Sequence, residues 1–192
     1  WEATNTLSVP RDWLSGIYLA RFELTSGPDA GTSTSHPFVV HPGSDRTYRG
    51  LVQLPLATEQ AYNAWGGKGL YGFASDGDAA DVVSHDRPIG NEPTWHLNTA
   101  INFARFLESR GYDVAYFSDV EIHRNPDLLQ NGNLAISTGH DEYWSRAQRL
   151  GFQRARDAGT NVGFFGANIA YWQVRYEDDG RSIVSYKHND AE

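Results

Sequence analysis

The sequence predicts an α/β fold: a mostly parallel, doubly wound sheet with a β-hairpin flanking it on the N-terminal side. Short apolar runs rich in β-branched residues alternate with segments of helical period about 14 to 18 residues long, as in parallel strands joined by crossover helices. Gly27-Pro28, the Gly/Ser/Thr stretch 31–35 and His41-Pro42-Gly43 set the first two runs apart from the rest. The 192 residues are 40% hydrophobic and 13% aromatic, enough for a packed core and too few for three domains.

Taken in order, residues 15–24 (SGIYLARFEL) and Phe38-Val39-Val40 read as the two strands of a hairpin with a loose loop. A two-stranded ribbon is marginal alone, so residues 1–48 are expected to be the edge hairpin of a neighbouring β-sandwich, and 49–192 the α/β domain. Leu51–Leu54 reads as a buried strand, 61–73 as a glycine-rich aromatic segment and 74–90 as a polar loop. From Pro93 to Arg110 the residues Leu97, Ala100, Ile101, Ala104 and Leu107 recur at helical spacing, with Pro93 suited to the first turn and Gly111 to the stop. Asp113–Phe117 and Leu134–Ser137 read as strands, Ser145–Ala158 as a helix stopped by Gly159, and 161–165 as a further strand. Residues 171–187 read as a hairpin turning at Asp179-Gly180.

Several function classes are excluded. A formal charge of -8 with scattered basic residues disfavours nucleic acid and anionic membrane surfaces as partners. No apolar run reaches the roughly 18 residues of a membrane span. With no cysteine there is no thiol nucleophile, disulfide or cysteine zinc site. The absence of methionine suggests a processed product or a segment of something longer, and the compartment, cytoplasmic or secreted, is left open.

In open α/β sheets ligands bind beyond the carboxyl ends of the strands. Three stretches there carry chemistry: Thr138–Trp144 with His140, Asp141 and Glu142; Gly166-Ala167-Asn168; and Tyr62–Gly67. His140 occupies the strand-to-helix corner where class I amidotransferase-like folds and α/β-hydrolases place a nucleophile. Neither Cys nor Ser stands at that corner, which disfavours a Ser-His-Asp triad. His140 and Glu142 alternate like residues of an extended segment and can share a face, as ligands or acid–base groups. The plainer alternative is that Glu142 answers the positive end of the following helix and His140 is a core histidine. Gly66-Gly67-Lys68 lacks the spacing of a phosphate loop. His36, His41, His85, His96, His123 and His188 lack zinc-type spacing and read as surface histidines.

Together, SGIYLARFEL, AYNAWGGKGLYGF, STGHDEYWS and FFGANIAYWQVR resemble, in order and spacing, the large-subunit family of N,N-dimethylformamidase, from about Asp12 to the end of the chain. Gly69 stands where that family's motif places a serine. The resemblance implies a class I amidotransferase-like domain and a mononuclear Fe(III) centre held by Tyr18, Tyr62 and Glu142, whose three hard, anionic oxygens balance a trivalent cation. It further implies that His140, Asn168 and Lys187 line the substrate pocket for hydrolysis of a small amide to formate and an amine, and that a small subunit or a second copy assembles with the chain. The competing reading is a non-catalytic ligand-binding or assembly module on the same scaffold.

Overall fold

A computed structural model describes residues 5–43, 46–89 and 95–187, the side chain of Trp95 excepted. The hairpin is formed by β1 (Gly16–Glu23) and β2 (Ser33–Val40), antiparallel and in register from Gly16↔Val40 to Glu23↔Ser33. Its inner face supplies Ile17 and Val39 to the core of the α/β body, and the Ser15 hydroxyl accepts from the Tyr116 N–H at 2.9 Å. The second strand extends further than its apolar end suggested, because pairing with β1 carries the polar residues Ser33–His36 into register.

The body is a parallel sheet of β3 (Gly50–Leu54), β5 (Val114–Ser118), β6 (Leu134–Gly139) and β8 (Asn161–Gly166), in the order β5-β3-β6-β8. Alternation along the strands divides the core. Val52, Leu54, Tyr116 and Ile136 pack on Ala100, Ala104 and Leu107 of helix α2 (Trp95–Ser109). Leu51, Ala115, Phe117 and Ala135 pack on Ile122 of α3 (Asp119–Arg124) and on Phe152 and Ala155 of α4 (Arg146–Asp157). The sheet therefore carries helices on both faces, which explains why all of β3, at its centre, is buried. The predicted helix from Pro93 begins at Trp95 among the described residues, with Pro93 itself outside them. It ends where Gly111, at φ 72°, lets the Tyr112 N–H return to the Leu107 carbonyl. The α4 helix opens with a capping box in which Ser145 and Gln148 exchange backbone and side-chain hydrogen bonds.

A second sheet, not read from the sequence, runs β4 (Val82–Ser84), β10 (Ser182–Val184), β9 (Trp172–Glu177), β7 (Tyr143–Ser145). It incorporates the predicted 171–187 hairpin and a strand from the segment expected to be loop. Helix α1 (Leu56–Tyr62) packs beneath it through Ala57 and Ala61, against Val83, Val174 and Ile183. Because β6 belongs to the first sheet and β7 to the second, residues 140–142 form the joint between them. No helix among the described residues is long and apolar enough to cross a membrane.

Candidate active site

The strand order of the parallel sheet reverses between β3 and β6, so a crevice opens at their carboxyl ends. Two glycines shape it. Gly139 and Gly166 pair at the last register position of β6 and β8, and a Cβ built on Gly166 would lie 1.5 Å from the Gly139 carbonyl oxygen. Gly139 also adopts φ 75°, which swings the chain from β6 into the joint. The Glu142 N–H then donates to the Thr58 hydroxyl of α1 at 2.9 Å, and the Trp172 and Ala170 N–H groups donate to the carbonyls of Glu142 and Asp141 at 2.9 Å each.

Glu142 is buried, and its carboxylate is the centre of the site. Tyr62, the last residue of α1, donates its hydroxyl to Oε2 at 2.9 Å; Tyr71 donates to Oε1 at 2.7 Å; the two hydroxyl oxygens are 3.3 Å apart. His140 Nε2 lies 3.2 Å from Glu142 Oε2 and 3.3 Å from Asn168 Nδ2. This nitrogen has two alternative partners. With a proton it donates to Glu142; without one it accepts from the Asn168 amide. Lys187 hydrogen-bonds the Tyr143 hydroxyl and holds its ammonium 3.2 Å from the Tyr71 ring centroid, with Trp172 on another side.

Electrostatics follow from burial. Burial and then the neighbouring Tyr71 and Glu142 raise the Tyr62 phenol well above its ordinary value; burial also raises Tyr71, so both are protonated donors at neutral pH. Desolvation lowers Lys187 to about 8, with the Glu142 charge opposing. His96, packed 4.0 Å from the Tyr62 ring and 4.9 Å from the His140 ring, is pushed down to about 4 by burial and then by His140.

Of the residues expected here from the sequence, Tyr62, Glu142, His140, Asn168 and Lys187 are brought together. Tyr18 is not. It sits on the hairpin, stacked on Trp13 at 4.5 Å and near Phe38, with its hydroxyl donating to the Leu14 carbonyl at 2.9 Å. It lines a cavity of about 620 Å³ with Gly111–Val114 at the amino end of β5, so a strand's length of roughly 15 Å separates it from the carboxyl-end crevice. The oxygen that joins Tyr62 and Glu142 is that of Tyr71, in the same aromatic segment; its distance from Tyr62 follows no helical or strand period, and the Leu70 N–H donating back to the Ala61 carbonyl at 2.8 Å helps to fold it inward.

Other expectations fare differently from one another. His96 is buried against the site, whereas it read as a surface residue; His85 is half-buried, and His188 lies outside the described residues. Glu142 does not answer the helix dipole, a task left to the Ser145 cap. The Ser137 hydroxyl donates to Asp141 at 2.8 Å, so it is no nucleophile for His140. Lys68 donates to the Asp76 and Asp78 carbonyls, which closes a loop instead of cradling phosphate. At Gly69 a Cβ would meet Ala74 Cβ at 2.9 Å and the Ala61 carbonyl at 3.1 Å, so this loop has no room for the family's serine.

A family model described as N,N-dimethylformamidase beta subunit-like, C-terminal, matches residues 1–192. The chain belongs to that family. No curated protein matches it. Among the described residues no group of three or more His, Asp or Glu side chains is placed to hold a metal ion, so a metal in this family member would have to draw on phenols. The donor set fits such a role: two phenolic oxygens and one carboxylate within 2.7–3.3 Å are hard donors carrying up to three negative charges, suited to a hard trivalent cation.

Proposed function

We propose that this chain carries the hydrolytic site of an amidase that cleaves the C–N bond of a small amide, N,N-dimethylformamide or a relative of it, to a carboxylic acid and an amine. The observation that carries the reading is the convergence of the Tyr62 and Tyr71 hydroxyls on Glu142 beside His140, at the carboxyl ends of the parallel strands. Membership of a dimethylformamidase-like family supports amide hydrolysis as the reaction class. Tyr62, Tyr71 and Glu142 would hold a ferric ion, which supplies Lewis acidity towards the amide carbonyl when bound.

The chain's own groups divide the remaining work. Asn168 and the Lys187 ammonium present hydrogen-bond donors to the carbonyl oxygen, where negative charge develops. His140 Nε2 takes a proton from the attacking water and returns it to the departing amine nitrogen, its contacts to Glu142 and Asn168 serving its two protonation states. The C–O bond forms from water as the C–N bond breaks. Phe73, exposed and stacked 4.9 Å from Tyr71, offers an apolar face to the alkyl groups of the amide. The beta subunit-like family supports assembly with further subunits, and the exposed Leu19, Phe22 and Leu24 of the hairpin support its place in a neighbouring β-sandwich.

The test is hydrolysis of N,N-dimethylformamide by chain purified with Fe(III), followed as formate release, beside the variant His140→Gln. Turnover that disappears in the variant while iron content is kept is the expected result. Iron-free chain with no turnover would overturn the reading in favour of a non-catalytic binding module.

A further inference from the structure

Asp141 lies between His140 and Glu142 and points the other way. Its side chain is fully buried beneath the joint, where Oδ2 accepts from Gln53 Nε2 at 2.7 Å and from the Ser137 hydroxyl at 2.8 Å. Gln53 is braced in turn, its Oε1 accepting from Gln148 Nε2 at 3.3 Å, while Gln148 Oε1 accepts from the Ser145 N–H at 2.7 Å. The Trp144 indole also favours the carboxylate's charge, without a well-aligned hydrogen bond. Among the described residues no basic side chain acts on the carboxylate. On the backbone side, the Asp141 carbonyl accepts from the Ala170 N–H at 2.9 Å, in the loop that carries Asn168.

A buried carboxylate held by neutral donors alone is a costly element, and apolar packing of the same volume would do more for stability. What the arrangement does supply is orientation. The carboxylate ties the joint to the ends of β3 and β6 and to the start of α4, and the carbonyl ties it to the Asn168 loop. Residues one before and one after it then have a single direction in which to project.

We propose that Asp141 is a positioning residue, whose clamp on Gln53 and Ser137 aims His140 and Glu142 into the crevice and sets their distance from Asn168. The inference rests on the reading of His140 and Glu142 as the working pair, and it involves no contact between Asp141 and substrate.

The test compares Asp141→Ala with Asp141→Asn, whose Oδ1 can still accept from both Gln53 and Ser137. In iron-loaded chain assayed with N,N-dimethylformamide, Asp141→Ala should lower kcat about 100-fold, the effect of misplacing reacting groups by about 1 Å, and leave KM within about threefold. Asp141→Asn should recover most of the loss. In iron-free chain the His140 imidazole resonances should move in Asp141→Ala and return towards wild type in Asp141→Asn. If Asp141→Ala fails to fold, Gln53→Ala and Ser137→Ala each remove one donor and are read in the same way. Wild-type kcat together with unmoved His140 resonances would overturn the proposal. If wild-type chain neither binds iron nor turns over, the amidase reading falls by itself, and the His140 resonances alone decide the positioning role.

Discussion

Replacing Tyr71 by Phe separates the site in the structure from the ligand set implied by family resemblance. The substitution removes one hydroxyl and keeps the ring that stacks on Phe73 and carries the Lys187 ammonium. Glu142 Oε1 loses its 2.7 Å donor inside a buried pocket. A hydrogen bond to a charged acceptor contributes about 1.5–3 kcal/mol, so iron-free Tyr71→Phe should be less stable by about that much, measured by urea unfolding. In chain loaded with Fe(III), the variant should lose bound iron and the visible tyrosinate charge-transfer absorption. Tyr18→Phe gives up only an exposed bond to the Leu14 carbonyl; it should unfold within about 1 kcal/mol of wild type and keep iron and colour. The refuting result is the converse: Tyr71→Phe that keeps wild-type colour and iron while Tyr18→Phe loses both would show that the Tyr62–Tyr71–Glu142 cluster is not the metal site.

Three further outcomes are expected. Gly166→Ala places a Cβ 1.5 Å from the Gly139 carbonyl and should cost well over the ~1–3 kcal/mol of ordinary overpacking, so circular dichroism should show an unfolded or strongly destabilised chain; a wild-type Tm would contradict the close approach of β6 and β8. Ala170→Gly relieves a residue held at φ 54° and should raise stability by about 0.5–1 kcal/mol in urea unfolding, whereas a loss would mean that its methyl packing outweighs the backbone strain. Asp119, fully buried and accepting from the Ala57 N–H, has its carboxyl raised to about 8 by burial, so the folded chain holds this proton more tightly than the unfolded chain. Its contribution is complete below pH about 4 and is lost as pH rises to about 8. Asp141, raised to about 6 by burial, falls in the same direction but is spent by that pH. Stability of wild type relative to Asp119→Asn should therefore decline between pH 6 and 8, and parallel stability curves over that window would contradict the raised carboxyl.

The parallel sheet was legible because its strands and long helices have strong periods and clear stops: Leu97, Ala100, Ala104 and Leu107 on α2, with Gly111 after it, state the helix and its buried face together. The second sheet was legible only in its β9–β10 hairpin, since β4 and β7 are three residues each, too short to display alternation, and exist only through pairing with β10 and β9. Helices α1 and α3 were missed for a related reason. With seven and six residues they hold less than two turns of pattern, and burial of Thr58, Glu59 and Gln60 on α1 hides the apolar stripe. In the site, His140 and Glu142 were legible from their place after a strand, and Asn168 likewise. Tyr71 carried no such signal, because its contribution depends on how a glycine-rich segment folds back on α1. Tyr18 shows the opposite case, a residue singled out by motif whose ring the hairpin keeps for stacking on Trp13.

The same short strands explain why the site needs both sheets. The parallel sheet alone would end β6 at Gly139 and leave His140, Asp141 and Glu142 as an unsupported loop. Pairing of β7 with β9, from Tyr143↔Trp172 onward, holds the far side of that joint. The continuation of β10 then returns the chain to bring Lys187 over Tyr71 and Tyr143. Carboxylate and imidazole thus come from the junction, one phenol from the end of α1, the other from the segment packed on it, and the ammonium from beyond the second sheet. Weakening β7–β9 pairing should loosen Glu142 while leaving the β3–β6 core intact. Hydrogen exchange would detect this as early opening at Trp172 and Val174 against continued protection at Val52 and Ile136, and equal protection of the two sheets would argue that they open as one unit.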